Sequence, residues 1–223
     1  MSSHSALAVI PSDRFARARG IWDVVRACER AASLLILLAI FPLMVLAGIT
    51  IFVLSRQSPL VAHLRVGQFG IPFWTLKLRT MWPSGSPPMR RVRFIEYIVD
   101  ESGMESKSIG DPRVTSRFAR FCRRFSIDEL PQLLNVVRGE MCLVAPRPLT
   151  EGELKMHYQL DAMEVLLEKP GITGLWQVMG RSRLTYGQRR RLDLFLVRNR
   201  SLRLYFTILL RTMPVVLKGS DGW

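Results

Sequence analysis

Acidic residues are scarce in this 223-residue chain. It carries 18 Asp and Glu against 32 Lys and Arg, and none of the acids lies between Glu29 and Glu96. The net charge of +14 points toward polyanionic partners. Cysteine is equally sparse. Cys28, Cys122 and Cys142 form no close pair, which speaks for reduced, packed thiols in a cytosolic environment. Histidine is limited to His4, His63 and His157, without ligand spacing, so a zinc site is not expected. No internal repeat is present, and no run of strand–helix units of the Rossmann kind. A recognition motif or aromatic stacking platform for nucleic acid is also missing. The nearest approach to low complexity is a Ser/Gly/Pro run at 83–88, which suits a loop.

What is present is apolar. Hydrophobic residues make up 48% of the chain. A basic chain this apolar points to an anionic membrane surface or a phosphate-rich substrate as readily as to nucleic acid. Residues 31–54 carry no charge, and this is about the length of a bilayer-crossing helix. The segment lacks the polar stripe of a buried core helix. Pro42 stands in its middle and removes a backbone hydrogen bond. Both flanks are basic: Arg14, Arg17, Arg19, Arg26 and Arg30 precede it, and Arg56, Arg65, Lys77 and Arg79 follow. Cytoplasmic loops are the ones enriched in Lys and Arg. A helix that enters, bends at Pro42 and returns to the same face satisfies both flanks; a single span with a tolerated proline is the alternative. The expected organisation is a basic amphipathic segment at 1–30, a membrane helix at 31–54 kinked at Pro42, and a compact cytoplasmic domain at 55–223. The fold class expected is α+β and helix-rich, with interfacial amphipathic helices.

Beyond the apolar segment, Gly67–Gly70 suits a turn and Phe73–Met81 alternates like a strand. Lys77 and Arg79 are two apart and so share a strand face. They suit a diphosphate, or a solvated face near acidic lipid. Residues 83–110 suit loop with a short helix from Arg90 to Val99. Asp111-Pro112-Arg113 forms a turn offering an acid and a base. Ser116 to Phe125 is amphipathic, with Phe118, Phe121, Cys122 and Phe125 on one face and arginines around the rest; this suits an interfacial helix or one packed on the core.

Asp128 and Glu129 then stand together at the mouth of a helix. Leu130, Leu133, Leu134 and Val137 recur at helical spacing and Gly139 suits the stop. Pro131 lacks an N–H and belongs in a first turn, which makes Asp128 the N-cap; the competing register makes Ser126 the cap. Capping alone explains the two acids. Equally, a carboxylate at a helix N-terminus stays ionised and serves as nucleophile or metal ligand.

Met141–Ala145 suits a short strand, and Pro146-Arg147-Pro148 follows. Proline on each side holds Arg147 extended, as a phosphate clamp or as a surface arginine. Lys169–Val178 suits a turn into a strand, and Gly180-Arg181-Ser182-Arg183 a basic turn. Gly187–Asn199 suits a helix carrying Asp193, and Ser201–Lys218 an interfacial helix limited by Pro214.

In this order the motifs resemble the monotopic phosphoglycosyl transferases, the bacterial sugar transferases that load a polyprenyl phosphate. The likeness covers about residues 20–217. It rests on Lys77-Leu78-Arg79-Thr80-Met81, Asp111-Pro112-Arg113-Val114-Thr115, Ser126 to Glu140, Pro146-Arg147-Pro148 and Lys169 to Gln177. The resemblance implies transfer of a sugar-1-phosphate from a UDP-sugar to undecaprenyl phosphate, with release of UMP. It implies Asp128 as a nucleophile forming an aspartyl phosphosugar, and Glu129, with Asp128 beside it, as the holder of magnesium. Lys77, Arg79, Arg113 and Arg147 become candidate phosphate contacts. The resemblance also implies a catalytic domain on the cytoplasmic face of the inner membrane and no nucleic acid partner. The compact length is similar to that of exopolysaccharide members. Three positions depart from the family pattern: Phe41 stands where a serine precedes the helix-breaking proline, Ala145 where glycine is common, and Tyr205 where an aspartate is frequent. Asp193 is the candidate to fill the role of that aspartate near the substrate. The rival readings are a membrane-held nucleic-acid-binding module and a non-catalytic scaffold.

Overall fold

The computed structural model describes residues 19–82, 94–99, 114 and 116–219. The expected loop at 83–88 and the Asp111-Pro112-Arg113 turn lie outside the described residues.

The apolar segment is the middle of a longer helix, α1, Arg19–Ser55, which contains Pro42. It is long and apolar enough to cross a membrane. Its central side chains, including Leu35, Leu38, Phe41, Leu43 and Leu46, are exposed. Leaving one large apolar side chain in water costs about 1.5–3 kcal/mol, so this surface is built for another medium. Both ends of α1 nonetheless pack on the rest of the protein. Near the start, Trp22 and Val25 join a core cluster with Val144, Tyr205 and Ile208. Near the end, Ala47 and Ile51 join Leu78, Trp82 and Ala119.

The body is helix-rich α+β. Strands β1 (Leu60–Val66) and β2 (Pro72–Leu78) pair antiparallel, and β3 (Ile95–Ile98) pairs parallel to β1, in the order β2-β1-β3. A helix from Arg90 to Val99 is therefore wrong for its described part. Ile95 and the residues after it find an open sheet edge at β1, and pairing there satisfies their backbone groups. Strand β2 also stops at Leu78, earlier than the alternation to Met81 suggested.

Helix α2 (Arg117–Arg124) starts at Ser116, whose hydroxyl accepts from the Ala119 amide. It buries Ala119, Cys122 and Arg123, while Phe121 points outward. The aromatic face expected to be continuous is thus divided. After α2 the chain turns sharply, with Ser126 in the left-handed region at φ 56°, and makes a single 3₁₀ turn, Ile127–Glu129. Helix α3 begins only at Gln132 and runs to Arg138, with Pro131 as its N-cap and Gly139 as its left-handed C-cap. Neither expected capping register holds. Asp128 and Glu129 lie on the preceding turn, because Pro131 supplies no N–H and the α-helical ladder starts after it.

Strand β4 (Cys142–Val144) leads to the proline loop. A short helix α4 (Glu151–Glu153), closed by a Thr150–Glu153 capping box, passes into one π turn, Leu154–Tyr158, then a 3₁₀ turn and α5 (Ala162–Val165). Strand β5 (Gly171–Thr173) pairs parallel to β4. The expected strand stops there, since Leu175–Met179 forms helix α6, which buries Leu175 and Trp176. Helices α7 (Tyr186–Arg198) and α8 (Leu202–Lys218) complete the chain. Pro214 lies inside α8 without ending it. Cys122 and Cys142 are buried as expected, but Cys28 is exposed on α1.

Candidate functional site

Three separate segments meet at one carboxylate oxygen. Glu129 Oε1 accepts from Lys77 Nζ at 2.9 Å and from Arg147 at 3.1 Å. Lys77 comes from the end of β2, Glu129 from the turn before α3, and Arg147 from the loop after β4. Burial pulls the Lys77 amine below the usual lysine range; the Glu129 charge opposes this and Arg147 adds to it. Asp128 is 6% exposed and its charge acts on Lys77 and Arg147. It also helps raise the Cys122 thiol to about 11, an effect dominated by burial. The Arg147 loop is set by close backbone packing. A Cβ at Gly171 would collide with the Ala145 backbone, and one at Gly174 would lie 2.6 Å from the Ala145 carbonyl oxygen. The Gly171 amide donates to the Pro146 carbonyl at 2.7 Å.

A fourth segment brings Arg181. It follows α6 with a left-handed backbone, φ 49°. One guanidinium nitrogen lies 3.5 Å from Ser126 Oγ. The other is buried without a hydrogen-bond partner among the described residues. Burial lowers its pKa, Glu129 opposes this, and Arg147 adds to the lowering. Sequence reasoning marked only a basic turn here, since no proline or periodic pattern distinguished Arg181 from Arg183. Lys77, Arg147 and Arg181 together outweigh Asp128 and Glu129, so the cluster attracts an anion.

Two nominated residues lie elsewhere. Arg79 donates to the Ser58 carbonyl at 2.8 Å and pairs with Glu96. It ties β2 to β3 and does not join Lys77 in a phosphate-binding pair. The shared strand face failed because the strand ends at Leu78 and Glu96 claims the guanidinium. Asp193 is fully buried on α7. Its Oδ2 accepts from Tyr158 at 2.6 Å. Burial raises its carboxyl to about 7, against the opposing Tyr158 hydrogen bond and the charges of Arg189 and Arg147. Arg113 lies outside the described residues.

Residues 22–219 match the family model described as bacterial sugar transferase. The chain belongs to the bacterial sugar transferase family. It is 40% identical over 201 residues to a UDP-galactose-lipid carrier transferase of Erwinia amylovora, covering 89% of this chain and 41% of that protein. It is 36% identical over 199 residues to the exopolysaccharide production protein ExoY of Sinorhizobium fredii, covering 89% and 87%. It is 36% identical over 201 residues to an undecaprenyl-phosphate galactose phosphotransferase of Salmonella typhimurium, covering 89% and 41%. The chain thus spans about two-fifths of the length of the Erwinia and Salmonella relatives and most of the length of ExoY.

In this member of the family the departure at Tyr205 is absorbed away from the Glu129 cluster. The Tyr205 hydroxyl donates to Glu29 Oε1 at 2.9 Å, and the Leu143 amide donates to the same oxygen at 2.9 Å. The side chain fastens α8 to α1. Asp193 bonds Tyr158 through one oxygen, and its other oxygen is buried without a hydrogen-bond partner among the described residues. No group of three or more Asp, Glu, His or Cys side chains gathers as a metal site among the described residues. Two carboxylates completed by substrate phosphate oxygens are a usual way to hold magnesium, and Asp128 with Glu129 fits that donor set.

Proposed function

We propose that this chain transfers a sugar-1-phosphate from a UDP-sugar to undecaprenyl phosphate, releasing UMP and starting an exopolysaccharide repeat unit. The observation that carries the reading is the convergence of Lys77 and Arg147 on Glu129, beside Asp128. The names of the Salmonella and Sinorhizobium relatives support the lipid acceptor and the polysaccharide product.

Asp128 is the nucleophile in this reading. One of its carboxylate oxygens attacks the sugar-bearing phosphorus, the phosphoanhydride P–O bond breaks, and UMP leaves with that electron pair. An oxygen of the lipid phosphate then attacks the same phosphorus. The bond to Asp128 breaks and returns the carboxylate, leaving a lipid diphosphate sugar. Two displacements let the donor leave before the lipid reacts. Lys77, Arg147 and Arg181 bind and orient the phosphate oxygens, and bidentate arginine suits that task. Magnesium, held by Glu129 with Asp128, would neutralise diphosphate charge that otherwise repels the nucleophile.

The membrane reading is a re-entrant one. Both ends of α1 rest on the body while its centre is exposed. Straight, the stretch from Glu29 to Ile51 would be about 33 Å long at about 1.5 Å per residue. A bend at Pro42 brings both ends back to one cytoplasmic face of the inner membrane.

The test uses the full chain in nanodiscs with undecaprenyl phosphate. Asp128→Asn should lose UMP release by about 1000-fold or more, as removal of a nucleophile does, while staying in the membrane. Without lipid acceptor, the wild type should accumulate one sugar-phosphate adduct on the peptide holding Asp128. Substantial turnover in Asp128→Asn would sink the covalent route, and a panel of UDP-sugars would identify the donor.

A further inference from the structure

Asn135 is fully buried and uses both polar atoms of its side chain and its backbone oxygen. Its side-chain oxygen accepts from the Leu76 amide at 3.2 Å. Its side-chain nitrogen donates to the Trp74 carbonyl at 2.8 Å and to Glu140 Oε2 at 2.6 Å. Its backbone oxygen accepts from the amides of Glu140 and Met141 at 2.9 and 3.2 Å.

The pattern on β2 is that of a strand neighbour. β2 is the end strand of its sheet, and an end strand presents an unpaired row of N–H and C=O groups. The Asn135 amide fills that row at Trp74 and Leu76, as a peptide group of a further strand would. The next residue, Lys77, turns to the opposite face and meets Glu129, six residues before Asn135 in the chain. A slip of one residue along β2 would reverse the faces and take Lys77 away from Glu129. On its other side Asn135 holds Glu140 and Met141, which open the path into β4 and on to Arg147. One residue, on the helix that follows Glu129, therefore bonds the strand that delivers Lys77 and the segment that leads to Arg147.

We infer that Asn135 is the positioning residue that fixes the distance of Lys77 and Arg147 from the Asp128–Glu129 pair. The inference rests on the phosphoryl-transfer reading only for its kinetic arm. A buried amide satisfied at every atom resists replacement, because each partner left unpaired costs about 1–3 kcal/mol. Asn135→Asp keeps the acceptor for Leu76, loses the donor to Trp74, and places a carboxylate against Glu140. Glu140→Gln is the gentler variant. It leaves both β2 contacts in place and weakens only the support behind them.

The test has two arms, both on the full chain in nanodiscs. The first follows reductive methylation of individual lysines by mass spectrometry. Lys77, paired with Glu129, should react slowly in the wild type and several-fold faster in Asn135→Asp, with Glu140→Gln between them. Lys155 and Lys169 should not change. The second arm measures UMP release in a double-mutant cycle with Lys77→Met. Asn135→Asp should lower kcat by about 100-fold, the cost of a misplacement near 1 Å, with KM little changed. In the Lys77→Met background most of that loss should vanish, because both changes act through one contact. Equal losses in the two backgrounds, or unchanged Lys77 labelling in a variant that has lost turnover, would overturn the inference and leave Asn135 a core residue only. If Asn135→Asp does not fold, Glu140→Gln carries both arms with smaller effects in the same directions; unchanged Lys77 labelling in it overturns the inference too. A wild type that releases no UMP, yet shows the labelling pattern, refutes the proposed reaction and keeps the positioning role.

Discussion

A buried carboxyl that prefers its proton makes stability depend on pH. Asp193, raised to about 7 by burial, holds a proton in the fold at pH values where the unfolded chain has lost it. Its stabilising contribution is complete below the ordinary carboxylate range and fades as pH rises through about 7. Wild-type Tm should therefore fall between about pH 4 and about pH 7 relative to Asp193→Asn, whose amide cannot ionise. Parallel Tm profiles would show that Asp193 is charged in the fold. The same residue marks what the sequence could not reveal. Lys77, Glu129 and Arg147 were nominated from paired cations on a strand face, two acids at a helix mouth, and an arginine between prolines, and they meet in space. Asp193 and Arg79 were equally plausible by type. Tyr158 and Glu96, distant in sequence or on another strand, decide where they go. Arg181 was passed over because its partners, Ser126 and Glu129, lie more than fifty positions away.

At the scale of elements, helix ends show how local chemistry and tertiary contact share control. Gly139 closes α3 with φ 77°, and a Cβ there would also strike the Arg30 guanidinium of α1. Gly139→Ala should cost about 1–3 kcal/mol through its backbone alone, read as a lower Tm in detergent. Adding Arg30→Ala should recover the part due to collision and none of the part due to φ. A Gly139→Ala melt matching the wild type would mean the cap is not left-handed. That glycine was legible as a stop, as were α7, α8 and the apolar helix, because each carries a repeating pattern longer than its ends are uncertain. The start of α3 was not, since both capping registers obeyed the local rules and the 3₁₀ turn at Ile127–Glu129 moves the helix start past Pro131. β3 and α6 were misjudged for a related reason. Each is four or five residues long, too short for periodicity to separate helix from strand, and β1 or the core around Trp176 makes the choice.

For the whole molecule, the question is which side of the bilayer each end of α1 occupies. Cys28 is the natural probe, being exposed where Cys122 and Cys142 are buried, with their thiols pushed up chiefly by that burial. A membrane-impermeant maleimide should label Cys28, and a Gln57→Cys variant at that position, only from the cytoplasmic face. Labelling of either from the periplasm would mean a true span. The Glu29 clasp also bears on how the molecule is made. α1 leaves the ribosome before the residues that hold Glu29, since Leu143 and Tyr205 follow 114 and 176 residues later. At about 5–20 residues per second of synthesis, the helix waits for roughly 10–35 s before its last partner exists. A chain stalled short of Tyr205 would hold Glu29 through the Leu143 amide alone, so the second half of the clasp between α1 and the body forms only when α8 is made.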